Sequence, residues 1–479
     1  MISRGWGLQP ARSCGSKPSS PVKLFGTSGI RGDAQQVLTP PFSEKLGRTF
    51  AAYLGGRGTV FVGRDVRLHS KTIQTAFMNG LLNGGVDVTD CGLTPTPALL
   101  FAVKERKSSA GVIVSGSHTP AEIAGILFFL NDTGEMDPRG ERRFERLYSS
   151  EPWLQSSPGR KGSIQPLEII ELYLREVAKQ VGNVGGYRVV VDPGNGATCA
   201  TLAKALEAFG CSVTTINGEP DGHFPSRSPN PQPSTLTELS RAVRETKADF
   251  GVGTDSDGDR ALFATQDGRV LWGDLMGALF ARNELQKQGA GTVITTVNTS
   301  NIVKLVCQEH GGRLIVTRVG PPAIAEALRS SKDTVFATEE SGKHIWPRII
   351  LYGDAALASG KLLQLMNEQD LSLEELVGTL PKFYQLKSTL ECRDDLKAQA
   401  MKLVADMWVG DEKTHTTTLD GLKVEYSDLT WFLVRASGTE PLLRCSAEGK
   451  SMDEARVLLA RATELALKAI NKAKEAVQV

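Results

Sequence analysis

Three short segments of this chain carry side chains that could do chemistry together. Ser115-Gly116-Ser117-His118-Thr119-Pro120 offers a hydroxyl nucleophile beside an imidazole. Asp255-Ser256-Asp257-Gly258-Asp259-Arg260 offers three carboxylates at alternate positions and then a guanidinium. Arg435-Ala436-Ser437-Gly438-Thr439-Glu440-Pro441 offers a guanidinium, two hydroxyls and free N–H groups around a glycine. In order they supply a nucleophile, a hard-metal site and a phosphate clamp.

The carboxylates follow a strand-like run at Asp249–Gly253. If the chain stays extended, all three share one face, because the strand period is two. Converging carboxylates repel unless a cation compensates them, and oxygen-only ligands suit Mg²⁺ or Mn²⁺. An EF-hand needs glycine at position six and glutamate at position twelve; Arg260 and Gln266 stand there, so that reading fails. A solvated acidic turn is the plain alternative. Arg260 favours the metal reading, since a guanidinium beside the cage can hold a phosphate oxygen.

Ser117 sits where a strand runs into a turn. Thr119-Pro120-Ala121-Glu122 reads as a capping box, predicting a helical turn whose N–H groups face an anion near Ser117. Neighbours in an extended loop point to opposite sides, so His118 is not an obvious base for Ser117. There is no Gly-x-Ser-x-Gly elbow either. The clamp segment follows the apolar run Trp431–Val434 and forms a nest suited to a phosphate dianion.

Strands and helices that must position these loops alternate along the chain: strands at 59–62, 86–89 and 110–114, helices at 71–82 and 97–104. The pattern returns at 187–192, 197–209 and 212–216, and again at 292–297, 301–309 and 313–317. Such alternation predicts α/β sheets with helices on both faces, with ligands at the carboxyl ends of strands. Beyond Lys382 the style changes to α+β, with extended stretches at 416–425, 431–435 and 442–447 and helices at 393–407 and 452–474.

The 479 residues exceed what one core of about 250–300 residues serves. A net charge of +1 provides no global field for nucleic acid or an anionic membrane, so an anionic ligand must be captured locally. No apolar run is long enough to span a bilayer. Cys14, Cys91, Cys199, Cys211, Cys307, Cys392 and Cys445 are dispersed without a Cys-x-x-Cys pair. That predicts reduced thiols in the cytoplasm. Residues 1–22 hold Arg4, Arg12 and Lys17 and no acid, and read as a disordered tail or an over-extended start in preference to a presequence, whose helix Pro and Gly would break.

All three segments, in this order, resemble the α-D-phosphohexomutase family. Lys23–Gly32 is similar to its opening motif, and Val62-Gly63-Arg64-Asp65, Thr94-Pro95-Thr96-Pro97, Asp221–Pro225 and Glu339-Glu340-Ser341-Gly342 also fit. The resemblance implies four domains around a central cleft: 23–157, 158–267 and 268–381, each α/β with a mixed sheet, and an α+β domain at 382–479. It implies that Ser117 carries a phosphoryl group and that Asp255, Asp257 and Asp259 hold Mg²⁺ with a phosphoserine oxygen. Arg31, Glu339, Ser341 and Gly342 would bind the sugar; Arg435, Ser437, Gly438 and Thr439 would grip the remote phosphate. A hexose 1,6-bisphosphate would be the activator, sugar phosphates the partners, and a monomer or homodimer the assembly.

The implied activity is phosphoglucomutase/phosphomannomutase, with phosphoglucosamine mutase next, then a sugar phosphatase or a non-catalytic binding protein. The chain departs from the pattern at Ser115, Gly116 and Thr119, where Thr, Ala and Asn are usual. It also departs at Ala124, at Leu127 in place of a Lys implicated in proton transfer, and at Lys343 in place of a His. Acid/base duty then falls to His118 or Lys343. His118 is preferred because an imidazole of ordinary pKa titrates near neutrality.

Overall fold

The computed structural model describes residues 22–154, 159–410, 412–438 and 440–478. The tail expected at 1–22 lies outside the described residues except for Val22, and so does Thr439.

The first unit contains β1 (Ile30–Asp33), α1 (Pro40–Tyr53), β2 (Thr59–Arg64), α2 (Ser70–Asn83), β3 (Asp87–Leu93) and α3 (Thr96–Glu105). It continues through β4 (Ala110–Val114), β5 (Ile123–Leu130), α4 (Pro138–Ser150) and β6 (Ile164–Pro166). Its sheet runs β1-β5-β4-β2-β3-β6. The middle strands are parallel, while β5 and β1 are antiparallel. Side-chain alternation sorts the sheet's two faces. Val60, Val62, Val112 and Val114 pack with Phe50 and Phe77 on one side, and Phe61, Ile113 and Leu127 with Leu99 and Phe101 on the other. Because β6 joins this sheet, the first unit's backbone runs past the boundary expected at 157.

The capping box at Thr119–Glu122 starts no helix. Thr119 Oγ1 donates instead to Gly116 O at 2.7 Å, and Ile123 N to Pro120 O at 3.1 Å. The residues that follow, IAGILFFL, are almost wholly buried and pair along β4. An apolar run that fills a sheet overrides a local helix signal.

The second unit holds α5 (Ile170–Val181), β7 (Arg188–Asp192), α6 (Leu202–Ala208), β8 (Ser212–Thr215), α7 (Thr237–Thr246), β9 (Phe250–Thr254) and β10 (Ala261–Ala264). Its sheet order is β10-β9-β7-β8. The helix expected at 197–209 is split, with a 3₁₀ turn at Ala197–Ala200 before α6. The third unit holds α8 (Gly273–Gln288), β11 (Thr292–Thr296), α9 (Asn301–Glu309), β12 (Arg313–Thr317), α10 (Pro321–Ser330), β13 (Thr334–Thr338), β14 (His344–Ile345), α11 (Ala355–Gln369) and α12 (Leu373–Gly378). Its sheet order is β12-β11-β13-β14.

The last unit holds β15 (Tyr384–Glu391), α13 (Asp394–Met407), β16 (Thr414–Thr417), β17 (Leu422–Tyr426), β18 (Trp431–Ala436), β19 (Leu442–Gly449) and α14 (Met452–Gln478). Its sheet, β15-β19-β18-β17-β16, is antiparallel throughout. The single extended stretch expected at 416–425 is a hairpin, reversed at Asp420-Gly421 where Gly421 takes φ +87°.

One continuous core joins the first three units, from Phe101 and Tyr173 through Val191 and Phe250 to Phe280 and Leu362. The last unit has its own core, and Trp431 and Leu433 pack on Val297 of the third. Among the described residues, no helix is long and apolar enough to cross a membrane, and the six described cysteines are free.

Helices α1 and α2 meet at a glycine pair. A Cβ on Gly47 would stand 2.1 Å from Phe77 O, and one on Gly80 2.1 Å from Glu44 O. Gly47→Ala is therefore expected to destabilise the protein by about 1–3 kcal/mol through overpacking. Chemical denaturation is the check; an unchanged midpoint would contradict this packing.

Candidate active site

Ser117 lies in the loop leaving the carboxyl end of β4, buried, with φ +49°. A serine in the left-handed region is strained and persists only where its surroundings hold it. Arg67 does the holding. Its guanidinium donates to Ser117 O and Thr119 O, both at 2.7 Å, to Ile123 O at 2.8 Å, and to Pro120 O. Its charge is balanced by Asp65 at 3.0 Å, a pair almost wholly removed from solvent. Asp65 also accepts from Ser115 Oγ at 2.9 Å and Gly116 N at 3.2 Å, and Ser115 Oγ accepts from Ser117 N at 2.8 Å. A Cβ on Gly116 would come within 2.4 Å of the Arg67 guanidinium carbon. This explains glycine where alanine is the usual residue. Sequence reasoning missed Arg67; its only signal was proximity to the Gly63-Arg64-Asp65 motif.

Ser117 Oγ donates to Asp255 Oδ2 at 2.8 Å. Asp255, Asp257 and Asp259 are buried, with one oxygen from each within 4.8 Å of the others. They do not sit on an extended strand as expected. The chain turns at Gly258, φ +79°, and it is the turn that gathers them. Gly258 N and Arg260 N donate to Asp255 Oδ1 at 3.1 and 3.2 Å, and Thr96 Oγ1 reaches from the first unit to Asp257 Oδ2 at 2.8 Å. Asp257 Oδ1 and Asp259 Oδ1 are buried without a hydrogen-bond partner among the described residues. Burial, then the charges of its two neighbours, pushes the Asp255 carboxyl well above the usual range, and burial and Asp259 push Asp257 up. Asp259 also suffers burial, but Lys343 and Arg260 hold it below the usual range. Two orphaned acceptors in a buried carboxylate cluster fit a hard divalent cation.

Cations close the other side. Lys343 Nζ lies 2.7 Å from Asp259 Oδ2 and donates to the Tyr352 hydroxyl at 3.0 Å. Arg260 Nε stands 3.8 Å from both Asp255 and Asp259, and its Nη2 is 2.9 Å from His118 Nδ1. His118 Nδ1 is 3.4 Å from Ser117 Oγ, so the left-handed serine brings together two side chains expected to diverge. Burial, followed by Arg260, Arg31, Lys343 and Arg444, pushes the imidazole well below its ordinary value. The expectation that His118 titrates near neutrality is corrected accordingly: here it is a neutral imidazole whose Nδ1 accepts from Arg260. Arg31 Nη1 donates to Gly116 O at 2.6 Å, bracing the serine loop from the cleft side.

The Glu339–Gly342 loop sits against the loop that carries the three aspartates. Gly342 O accepts from Ala261 N at 3.0 Å, and a Cβ on Gly342, φ +88°, would lie 2.5 Å from Ala261 O. Glu339 accepts from Gly320 N at 3.2 Å, and Ser341 Oγ is buried without a partner among the described residues. In the last unit, Arg435 is nearly buried, 3.4 Å from Asp420. Ser437 Oγ accepts from Glu440 N at 3.3 Å. A Cβ on Gly438 would meet Thr27 Oγ1 at 2.2 Å, so the clamp touches the opening loop of the first unit. Arg444, which sequence reasoning missed, pairs directly across the strands with Arg435, and its charge is felt at His118. Two like charges opposed on a sheet are destabilising unless anions offset them, and here Asp420 pairs with Arg435 and Glu440 with Arg444. The strand β19 puts Arg444 nine residues beyond Arg435, outside the loop motif.

Four family models match in order: phosphoglucomutase/phosphomannomutase alpha/beta/alpha domain I at residues 22–154, domain II at 171–268, domain III at 272–384 and the C-terminal domain at 389–465. The chain is 35% identical over 454 residues to a probable phosphoglucosamine mutase of Methanopyrus kandleri, covering 95% of this chain and all of that one. It is also 35% identical over 460 residues to a phosphoglucomutase/phosphomannomutase of Thermococcus kodakarensis, covering 94% and 99%. A solved phosphoglucomutase/phosphomannomutase family protein of Burkholderia thailandensis superposes with a TM-score of 0.83 at 25% identity, covering 94% of this chain and 98% of that one. The fold and these relatives define an intramolecular phosphotransferase. The chain belongs to the phosphoglucomutase/phosphomannomutase family of phosphohexomutases.

The aspartate cluster yields a metal prediction. Thr96→Val removes the hydroxyl that orients Asp257 and is expected to weaken Mg²⁺ binding about tenfold to a hundredfold, with Asp257→Asn weaker still. Calorimetric titration reads both, and unaltered affinity in both would contradict the site. Because the Asp255 and Asp257 carboxyls are raised, protons compete with the ion. Mg²⁺ is therefore expected to raise the melting temperature more as pH rises and less as pH falls.

Proposed function

We propose that this enzyme moves a phosphoryl group between C1 and C6 of a hexose through a phosphoserine at Ser117 and a 1,6-bisphosphate. The observation that carries the reading is the Ser117 hydroxyl, held 2.8 Å from a buried aspartate cluster by an arginine that over-determines its strained backbone. Asp255, Asp257 and Asp259 would hold Mg²⁺, which when bound supplies electrostatic stabilisation of the transferring group. Arg260, directed at the cluster from the protein side, adds charge stabilisation that needs no reorganisation. His118 is kept neutral and oriented by Arg260 beside the nucleophile. Arg435, Ser437, Gly438 and Thr439, with Arg444, would hold whichever phosphate is not reacting, fixing the sugar for in-line transfer. The free cysteines support a reducing, cytoplasmic setting.

Glu339 and Ser341 would read sugar hydroxyls, a carboxylate and an unpartnered hydroxyl suiting O3–H and O4–H. Glucose and mannose share both hydroxyls, so both 1-phosphates are expected to serve. Phosphoglucosamine mutase is the second reading, with a specific observation in its favour. The Lys343 ammonium, beside the Glu339–Gly342 loop, is bound to Asp259 and Tyr352 and so presents no free charge against a 2-amino group. The relative from Methanopyrus kandleri carries that name.

Ser117→Ala is expected to lower kcat about a thousandfold or more, and incubation with a hexose 1,6-bisphosphate should add one phosphate that maps to Ser117. A phosphate on any other residue contradicts the assignment. For specificity, kcat/KM for glucose 1-phosphate and mannose 1-phosphate should agree within about a hundredfold, ~2.7 kcal/mol. A preference for glucosamine 1-phosphate beyond that margin selects the second reading.

A further inference from the structure

Glu135 follows β5, where the chain turns toward α4. It forms an antiparallel bridge with Phe129, so its side chain shares a face of the sheet with Phe129 and, diagonally, with Leu127. That face looks toward the metal loop. The Phe129 ring packs 4.9 Å from Tyr352, whose hydroxyl accepts from Lys343, which in turn pairs with Asp259. The turn carrying Glu135 is fixed from the third unit. Arg329 donates to Glu135 O at 3.0 Å and Gly134 O at 3.1 Å and pairs with Asp132 at 2.7 Å, and Leu351 N donates to Thr133 Oγ1 at 2.9 Å.

Glu135 is 1% exposed. Ser28 Oγ lies 2.9 and 3.1 Å from its two oxygens, and no cation is within ion-pair distance of it among the described residues. Ser28 O accepts from Arg31 Nε at 3.0 Å, and the same guanidinium donates to Gly116 O, next to Ser117. Burial pushes Glu135 up to about 7; Lys343, Ser28 and Arg31 pull it back, and Asp259 pushes with burial. The titratable groups around it are Lys343 and Tyr352 from the third unit, Asp259 from the second, Arg31 from β1 and Glu141 from α4. Glu141 is itself raised to about 8 by burial, Glu135, Glu145 and Asp137.

A buried carboxyl that feels the charges of Lys343, Arg31 and Asp259, is fixed by two domains and is bound to no cation gains no stability from its place. An isolated buried acid costs folding energy. The other candidates for moving a proton are engaged. His118 Nδ1 takes an N–H from Arg260, Lys343 is bound to Asp259, and Leu127 has nothing to offer.

We propose that Glu135 carries the proton on the sugar side of phosphoryl transfer. The proposal rests on the phosphoserine reading above. In the first half-reaction the sugar hydroxyl oxygen forms a bond to phosphorus and its proton passes to the Glu135 carboxylate. The bond from phosphorus to Ser117 Oγ breaks with its electron pair on Oγ, which takes one proton from solvent to become the hydroxyl. In the second half Ser117 loses that proton as Oγ attacks the other phosphate, and Glu135 returns its own to the departing sugar oxygen. Both protons balance over the cycle.

The test compares wild type with Glu135→Gln, Glu135→Asp and Glu141→Gln on glucose 1-phosphate with bisphosphate and Mg²⁺, following kcat against pH and phosphate on Ser117 by intact mass. Glu135→Gln can still accept from Ser28, so the fold is expected to hold and its melting temperature checks this. A general base must be ionised, so wild-type kcat should climb with pH through an acid limb. Glu135→Gln should lower kcat about a hundredfold or more and abolish that limb. Glu135→Asp should restore part of the rate together with the limb, and Glu141→Gln should keep both. Near-normal kcat in Glu135→Gln, or a lowered kcat with the limb intact, overturns the proposal while leaving the phosphoserine reading standing. A wild type that never acquires phosphate on Ser117 takes down that reading and this one with it.

Discussion

Three carboxylates whose oxygens crowd within 4.8 Å, all buried, form an arrangement that a protein interior does not sustain unaided. Much of the cleft can be read as a response to that repulsion. Lys343 arrives from the third unit to neutralise Asp259, Arg260 lies across the cluster, and Thr96 crosses from the first unit to hold Asp257. Asp257 Oδ1 and Asp259 Oδ1 still stay without a hydrogen-bond partner among the described residues, and a divalent ion would meet this residual demand for positive charge. The same field fixes the state of its neighbours. Burial, then Arg260, Arg31 and Lys343, push the His118 imidazole well below its ordinary value, while burial pushes the Glu135 carboxyl up to about 7.

Ser117, the proposed nucleophile, is placed against this cluster by a second buried electrostatic element, the Asp65–Arg67 pair. One guanidinium reaches four carbonyl oxygens of a single loop, and one carboxylate takes the hydroxyl and N–H groups at its start. Buried pairs of this kind add little net stability, but breaking one leaves an uncompensated charge. Their effect here is conformational: they hold Ser117 in a backbone region that serine alone would leave. The cleft is thus built from contacts between units. The first three share one core and act as a frame, whereas the last meets them through the small apolar patch of Val297, Trp431 and Leu433, through the approach of Gly438 to Thr27, and through polar contacts to the third unit that include Asn301 with Glu425 and Glu448, Lys304 with Glu425 and Val319 N with Asp420.

Much of this was legible in the sequence because period and composition report local burial. The strand Ala110–Val114 and the helix Asn301–Glu309 stand where their apolar patterns put them, since a strand covered on both faces and a helix with one apolar stripe leave distinct signatures. The three loops that carry chemistry were also legible, as strings of hydroxyl, carboxylate and guanidinium groups between apolar runs. The misses share a cause. At Thr119–Glu122 and at 197–209 a helical signal was real but local, and pairing of β5 along β4 and packing of the 3₁₀ turn against the metal loop outweighed it.

The sequence by itself determined which groups are available: the Ser117 hydroxyl, the Asp255, Asp257 and Asp259 carboxylates, the arginine-and-hydroxyl nest after Val434, and the family to which they belong. Only the tertiary structure decided what those groups are. Arg67, Glu135 and Arg444 lie in segments with no motif of their own, and Thr96 in a motif whose partner the sequence does not name; all four matter because folding sets them beside residues far away in the chain. His118 carries the same imidazole in any context, but its protonation follows from burial and from cations that four different units contribute. Charge state and proximity are properties of the space around a side chain, and that space exists only once the chain has folded.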